Sequence, residues 1–355
     1  MTKFLLHRLR LTAVAFSCAL VCVAGNARIV TDDLNREVDV PDTVTRAVVA
    51  DIYPLASNLA LFLKGPEKIV GIHPVSMAAV KGRLLGELWP KMTQIETGFM
   101  KGSEVNVETL LALEPDVVFV NANNKALIAK LNDLGVKALA VSTNKYDYNV
   151  LKTFEGWMRL LQSVWPEIKV ADAAKLETDA IVKLVQERTA GVKTKARVFF
   201  LVNYDNRRIV TSSQRFFGQF WASASGAVNV AESIEAESAN AVVNMEQVYA
   251  FNPDVVFITN FTKAEPETLY ANTWHDWTPV KAVADKRIYK MPLGVYRSYT
   301  PAADSPLTLL WMAKTLYPEQ FADIDIKELA KAFYKNVFGL ELTDTQVESL
   351  YGQTK

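Results

Sequence analysis

One stretch of this chain occurs twice. Val107-Glu-Thr-Leu-Leu-Ala-Leu-Glu-Pro-Asp-Val-Val-Phe-Val120 and Met245-Glu-Gln-Val-Tyr-Ala-Phe-Asn-Pro-Asp-Val-Val-Phe-Ile258 match in register. Glu108 pairs with Glu246 and Asp116 with Asp254 at one constant offset of 138. Each copy reads as a helix, a Pro-Asp turn and an unbroken apolar strand. A strand with no polar alternation is buried on both faces, as in a parallel sheet covered by helices. Two such units predict an α/β chain of two similar lobes with mostly parallel sheets. Ligands of such sheets bind beside the carboxyl ends of the strands, so two facing lobes would share a cleft there.

The segment between the copies predicts how the lobes are joined. From Lys152 to Gly191 there are few turn signals apart from Pro166. Phe154, Trp157, Met158, Leu161 and Val164 fall at helical spacing, as do Ala173, Leu176, Ala180, Ile181 and Leu184. This predicts a long helical connector, broken or bent near Trp165-Pro166 because proline cannot continue the helix hydrogen bonding. Further apolar runs predict strands at 46–53, 68–72, 116–120 and 138–141 before the connector, and at 197–202, 254–258 and 287–291 after it. The resulting organisation is an N-terminal α/β lobe at 28–151, the connector at 152–191, a C-terminal α/β lobe at 192–325 and C-terminal helices at 326–355. A length of 355 residues suits two domains at roughly 100–200 residues each.

Residues 1–27 read as a secretory signal. Lys3, Arg8 and Arg10 form a basic head, an uncharged apolar run spans Leu11 to Ala24, and small residues follow at Ala24, Gly25 and Ala27. The run falls short of the about 20 residues a membrane span needs. Both cysteines, Cys18 and Cys22, lie in this segment, so the exported chain would have no disulfide, thiolate metal site or thiol catalyst. Ala19-Leu20-Val21-Cys22 is a poor lipid-attachment signal, which favours a soluble periplasmic protein. Removing the signal brings the balanced charge of 39 basic and 39 acidic residues to −3, and no basic excess points to nucleic acid.

The two copies, together with Arg287-Ile-Tyr-Lys-Met-Pro292 and the signal, resemble the class III periplasmic substrate-binding proteins of ABC importers. The resemblance covers nearly the whole exported chain. Ser305-Pro-Leu-Thr-Leu-Leu-Trp-Met-Ala-Lys-Thr-Leu-Tyr-Pro-Glu and the tail helices are similar to a branch described as iron- or nickel-complex binders. The resemblance implies two α/β lobes on a stiff helical connector, with modest closure on the ligand. It implies a monomer that captures a metal chelate and hands it to an inner-membrane permease with its ATPase. The chelate is expected to be an iron complex of siderophore type, with nickel or cobalt chelates next, then haem or cobalamin. No intrinsic cofactor and no catalysis are expected. In the vitamin B12-binding member, a surface glutamate in each lobe meets permease arginines seven residues before the repeat's proline. Glu108 before Pro115 and Glu246 before Pro253 occupy those places, and paired rim carboxylates suit charge-guided docking.

For the ligand itself, bare metal is disfavoured, because coordination of bare zinc commonly takes about four ligands and only His73 and His275 remain after export. His73, at the end of a predicted strand, is the candidate for a metal bond or a direct chelate contact. Haem-binding relatives often carry Gly-Tyr-Met-Arg just before the repeat helix, where the tyrosine ligates iron. Here the stretch is Gly98-Phe99-Met100-Lys101, and phenylalanine cannot coordinate iron. Phe99 and Met100 stay as contact candidates. Arginines that pair with carboxylate or catecholate oxygens, and aromatics that stack, are sought at strand ends. This selects Tyr204, Arg207, Arg208 and Arg215, then Tyr296, Arg297 and Tyr299, with Tyr53, Asn121, Tyr146 and Trp274. An exported enzyme is the rival class, but the chain has no Gly-x-Ser-x-Gly elbow, His-Glu-x-x-His or phosphate loop.

Overall fold

The computed structural model describes residues 27–102, 104–234 and 240–352. The leader read over residues 1–27 lies outside them except for Ala27, which begins a short hairpin pairing Ala27–Thr31 with Glu37–Pro41.

In the N-terminal lobe four strands run parallel in the order Ile69–Ile72, Ala47–Val49, Val117–Asn121, Ala138–Val141. Successive residues leave a strand on opposite faces. Val49, Val117, Phe119, Leu139 and Val141 enter one apolar layer, whereas Val48, Val118, Val120, Ala138 and Ala140 enter another. Both faces are therefore covered, and the unbroken apolar reading of 116–120 follows.

The C-terminal lobe departs from this plan. Arg197–Tyr204 pairs in parallel with Val255–Ile258, which pairs in parallel with Ile288–Lys290. Val228–Asn229 also joins Arg197–Tyr204 in parallel. Two further strands, Ile209–Ser212 and Asn240–Val243, continue the sheet antiparallel. The sequence reading missed this extension because each strand is only four residues long and flanked by polar turns.

Two helices connect the lobes, Val150–Val164 and Ala171–Thr189, with the break at Trp165 through Val170. Trp165 Nε1 donates to the Val44 carbonyl at 3.0 Å, which fixes the break against the N-terminal lobe. Helix Ser305–Leu316 packs on Ala171–Thr189, and helices Ile326–Phe338 and Asp344–Tyr351 follow. One continuous apolar core links Phe119, Phe154, Trp157, Phe200, Phe257, Trp311 and Phe333, so it passes from lobe to connector to lobe.

The repeat has a shared structural basis. Asp116 Oδ2 accepts the backbone N–H of Arg46 at 2.9 Å, and Asp254 Oδ2 accepts that of Arg197 at 3.0 Å. Each of these arginines begins the neighbouring strand and turns its guanidinium onto a carbonyl at the end of the repeat helix, Leu113 at 2.6 Å and Phe251 at 2.8 Å. Glu114 and Asn252 adopt matching left-handed turns with φ of 46° and 37°. The Pro-Asp signature thus closes a helix end and aligns two strands.

Candidate functional site

The parallel strands of each sheet deliver their carboxyl ends to one edge, where the predicted cleft lies. On the N-terminal lobe, Ala47–Val49 leads to Asp51 and Tyr53, and Ile69–Ile72 leads to His73. Asp51 is already engaged. Its Oδ1 accepts the Asn121 N–H and its Oδ2 accepts the Asn124 side-chain N–H, both at 2.7 Å. His73 caps the helix Pro74–Met77, with Nδ1 accepting the Val75 N–H at 3.0 Å. That bond places the ring proton of neutral His73 on Nε2, making Nε2–H a donor. Burial lowers the pKa of His73 below its usual value, partly opposed by the Asp51 carboxylate. Its ring lies 4.3 Å from that of Tyr53, and Ser76 Oγ donates to the Tyr53 carbonyl at 2.8 Å.

On the C-terminal lobe, Ile288–Lys290 leads to Tyr296 and Arg297, and Val255–Ile258 leads to Phe261. The Arg297 guanidinium stands 5.0 Å from the centre of the Phe261 ring and 5.7 Å from that of Tyr296. Among the described residues no carboxylate pairs with it and nothing accepts its side-chain N–H groups. Arginine over aromatic faces keeps its in-plane N–H donors free. Burial pushes the Tyr296 phenol up to about 12; Arg297 opposes this and Tyr53 adds to it. Tyr53 of the N-terminal lobe therefore lies within electrostatic reach of Tyr296. The Phe261 loop is held by Lys290, a buried lysine that donates to the carbonyls of Thr262 at 2.9 Å and Ala264 at 2.5 Å and pairs with Glu265 at 3.2 Å. Its pKa is lowered by burial.

His73, Tyr53, Tyr296, Arg297 and Phe261 thus form one continuous group spanning both lobes. Its polar members are donors. Beside it lies a cavity of about 480 Å³ lined by Val202, Val210, Phe216, Val242 and Phe261, with Asn203, Asn240 and Arg208 as polar members.

Other selected residues lie elsewhere, for identifiable reasons. Phe99 is 1% exposed, with its ring against Gly71 in the second apolar layer of the N-terminal lobe, and Met100 packs on the same layer. Phe99 is thus spent on packing, which corrects its selection as a contact, whereas Met100 keeps partial exposure at the layer's edge. Asn121 spends its side chain on a turn, accepting the Asn123 N–H at 3.0 Å. Tyr146 lies flat on the connector at Gly156, where a Cβ would meet its ring at 2.7 Å. Tyr204 is buried and accepts from Trp277 Nε1 at 2.9 Å. With Trp274, 4.9 Å away, and His275 it forms a separate aromatic group. Tyr299 is fully buried among Phe200, Phe216 and Phe217, and its carbonyl accepts from Trp221 Nε1 at 2.9 Å, so it supports the site from within the core. Burial raises its pKa far above the usual tyrosine value. Arg207 and Arg215 are exposed on loops, and Arg207 belongs to the Asp205 turn.

Sequence reasoning missed Phe261, although it lies just beyond a predicted strand end and the same rule selects it. It also missed Tyr148, whose ring lies edge-on to Phe216 at 5.2 Å and Phe217 at 5.4 Å and so brings the lobes together. Tyr148 and Asp147 both have positive φ, 58° and 50°; aspartate tolerates this region, but nothing in the tyrosine signals it. Glu108 and Glu246 are exposed in the first turns of helices Val107–Leu111 and Met245–Phe251, capped by Asn106 and Asn244. In that position a carboxylate also favours the helix itself.

Comparison with known proteins agrees with this architecture. Residues 56–293 match the family model described as periplasmic binding protein. The molybdate-binding protein MolA of Haemophilus influenzae is 28% identical over 360 aligned positions, covering 93% of this chain and 97% of that protein. Its molybdate-bound structure superposes with a TM-score of 0.75 at 25% identity, covering 89% of this chain and 99% of that one. A periplasmic solute binding protein of Veillonella parvula superposes with a TM-score of 0.80 at 25% identity, covering 92% and 97%. Helicobacter pylori CeuE, in a nickel–histidine complex, shares the fold at a TM-score of 0.73 and 20% identity, covering 91% and 98%. No helix among the described residues is long and apolar enough to cross a membrane. A family match over both lobes, with two α/β sheets on a helical connector, makes this chain a member of the periplasmic binding protein family, of the class III kind that serves ABC importers.

Proposed function

We propose that the chain captures a compact, oxygen-rich anion of the molybdate type in the cleft between its lobes and delivers it to an inner-membrane ABC permease. The observation that carries this reading is Arg297, a half-buried cation with no carboxylate partner among the described residues. Hydrogen bonds between a guanidinium and anionic oxygens are roughly twice as strong as neutral ones. Tyr53, Tyr296 and the Nε2–H of His73 supply neutral donors, which an oxyanion with several acceptor oxygens would use. The molybdate named for the Haemophilus relative fits this donor set. The periplasm is the expected location, and no catalytic step is assigned.

A second reading is favoured by the cavity beside Phe261. Its apolar walls, Val202, Val210, Phe216 and Val242, offer surface that a bare oxyanion does not need. They suit the organic part of a metal chelate, such as a ferric siderophore or a nickel or cobalt complex. In that case His73 would be free to add one metal bond.

Titration of the purified protein with molybdate, tungstate, sulfate, a ferric siderophore and nickel–histidine, followed by tryptophan fluorescence, separates the two. Saturable one-to-one molybdate binding, weakened about 30-fold or more by Arg297→Ala, is expected for loss of a desolvated charge partner. Binding confined to a chelate would replace the first reading with the second. Docking through Glu108 and Glu246 is part of the proposal. In reconstituted transport the double alanine variant is expected to slow uptake while leaving ligand affinity intact, and unchanged uptake would remove it. The continuous core through the connector supports limited closure, so small-angle scattering should change little when ligand is added.

A further inference from the structure

The loop that carries Tyr296 and Arg297 is tied to the interior at one carboxylate. Asp304 is fully buried just before helix Ser305–Leu316. Its Oδ2 accepts the Val295 N–H at 3.1 Å, the Tyr334 hydroxyl at 3.4 Å and the Tyr351 hydroxyl at 3.0 Å. Its Oδ1 is buried without a hydrogen-bond partner. Tyr334 belongs to helix Ile326–Phe338 and Tyr351 closes helix Asp344–Tyr351, so both C-terminal helices reach the group that holds the loop.

The loop needs holding. Gly294, with φ of 57°, backs onto the carboxylate, and a Cβ there would lie 2.6 Å from Oδ2. Three residues on, Arg297 has φ of 40°, a region a non-glycine residue keeps only where its surroundings impose it. One other tie reaches the C-terminal helices, a long bond from the Gly294 N–H to the Leu350 carbonyl at 3.5 Å. The rest are local, Ser298 Oγ donating to the Pro292 carbonyl and the Thr300 N–H to the Arg297 carbonyl at 3.0 Å, or hold the far end, where Trp221 Nε1 donates to the Tyr299 carbonyl. The groups on Asp304 are two phenols and a backbone amide, with no cation among the described residues. Burial accordingly raises the pKa of the carboxyl and of both phenols.

We propose that Asp304, with Tyr334 and Tyr351, is a positioning group for Arg297, through which the C-terminal helices set the geometry of the ligand site. The effect on ligand rests on the anion-binding reading of Arg297, whereas the tie between helices and loop does not.

The test combines Tyr334→Phe/Tyr351→Phe with and without Arg297→Ala, alongside Asp304→Asn, whose amide oxygen still accepts. Sodium molybdate is titrated by tryptophan fluorescence, and amide hydrogen exchange is followed over 292–300 in the ligand-free protein. The double Phe variant is expected to weaken molybdate binding about tenfold, the effect of losing hydrogen bonds to a charged group. It should cost nothing further once Arg297 is alanine, and Asp304→Asn should stay within about threefold of the parent on the same scale. Exchange should quicken over 292–300 and not over 69–73. An equal loss in the Arg297→Ala background would reduce the cluster to general packing and overturn the proposal, as would unchanged exchange over 292–300. If the parent protein binds no molybdate, the anion reading fails on its own. Exchange over 292–300 then decides the positioning role, kept if it quickens and lost if it does not.

Discussion

The N-terminal lobe is a four-stranded, wholly parallel sheet, while the C-terminal lobe adds two antiparallel strands and a bound-down loop with a left-handed arginine. The lobes agree closely where the sequence repeats: the same Asp-to-amide bond, the same arginine on the helix end and the same left-handed turn. They disagree where the chain leaves the strands for the cleft. One side offers a neutral histidine and a tyrosine, the other Arg297 on its aromatic platform, with no carboxylate partner among the described residues. The repeated residues are therefore scaffold, and under the proposed reading recognition falls to the unrepeated loops. This division can be broken or sharpened by substituting matched positions.

The largest effect is expected in the core. Phe119 and Phe257 are separated by the repeat offset, both are fully buried, and each lies near a tryptophan, Trp165 at 6.2 Å and Trp311 at 5.6 Å. Replacing either with alanine should cost about 3–5 kcal/mol by denaturant unfolding, through lost burial and an unfilled cavity. Losses agreeing within about 1 kcal/mol would mark the two as equivalent members of one core. A severe loss in one lobe only would show that the lobes are not energetically alike despite their matching backbone.

A smaller and asymmetric effect is expected at the turns. Asp116 Oδ2 accepts from Thr45 N–H, Thr45 Oγ and Arg46 N–H, at 2.7, 3.1 and 2.9 Å. Asp254 accepts the Arg197 N–H and pairs with Lys281 at 3.3 Å, a pair open to solvent. Alanine at Asp116 should cost about 1–3 kcal/mol, and less at Asp254, because an exposed ion pair contributes little. Equal or reversed losses in thermal melts would show that the number of satisfied donors does not set the stability of these turns.

The difference between the lobes also explains what the sequence could reveal. The repeat, the connector and the parallel strands were legible because buried strands and amphipathic helices leave periodic apolar marks. The antiparallel strands Ile209–Ser212 and Asn240–Val243 leave marks too short to stand out. For the candidate site, the strand-end rule selected Tyr53, His73, Tyr296 and Arg297, which the fold brings to one edge. It could not separate these from Tyr204 and Tyr299, since a tyrosine at a strand end reads the same whether its ring turns to the cleft or into the core. Phe99 was selected by analogy alone, and the Gly71 gap beneath it claims its ring. The positive φ of Arg297 and Tyr148 was invisible because neither residue type favours it locally.

The smallest effect should appear at His73, where the N-terminal lobe places its titratable group. Burial disfavours the charged ring, so the folded protein binds this proton less tightly than the unfolded chain, whose ordinary value is 6.5. As pH falls below about 6.5 the unfolded chain takes up the proton first, and stability falls with it. Above that value the contribution is complete and pH has no effect through this group. His73→Gln keeps a side-chain donor and removes the titration, so its stability should vary less between pH 7 and pH 5 than the parent's, with the two curves parallel above pH 7. A parent curve flat through this window would mean that His73 is protonated as readily in the fold as outside it. Burial would then not set the charge of His73, and below about pH 6.5 the N-terminal lobe would bring a second cation to face Arg297.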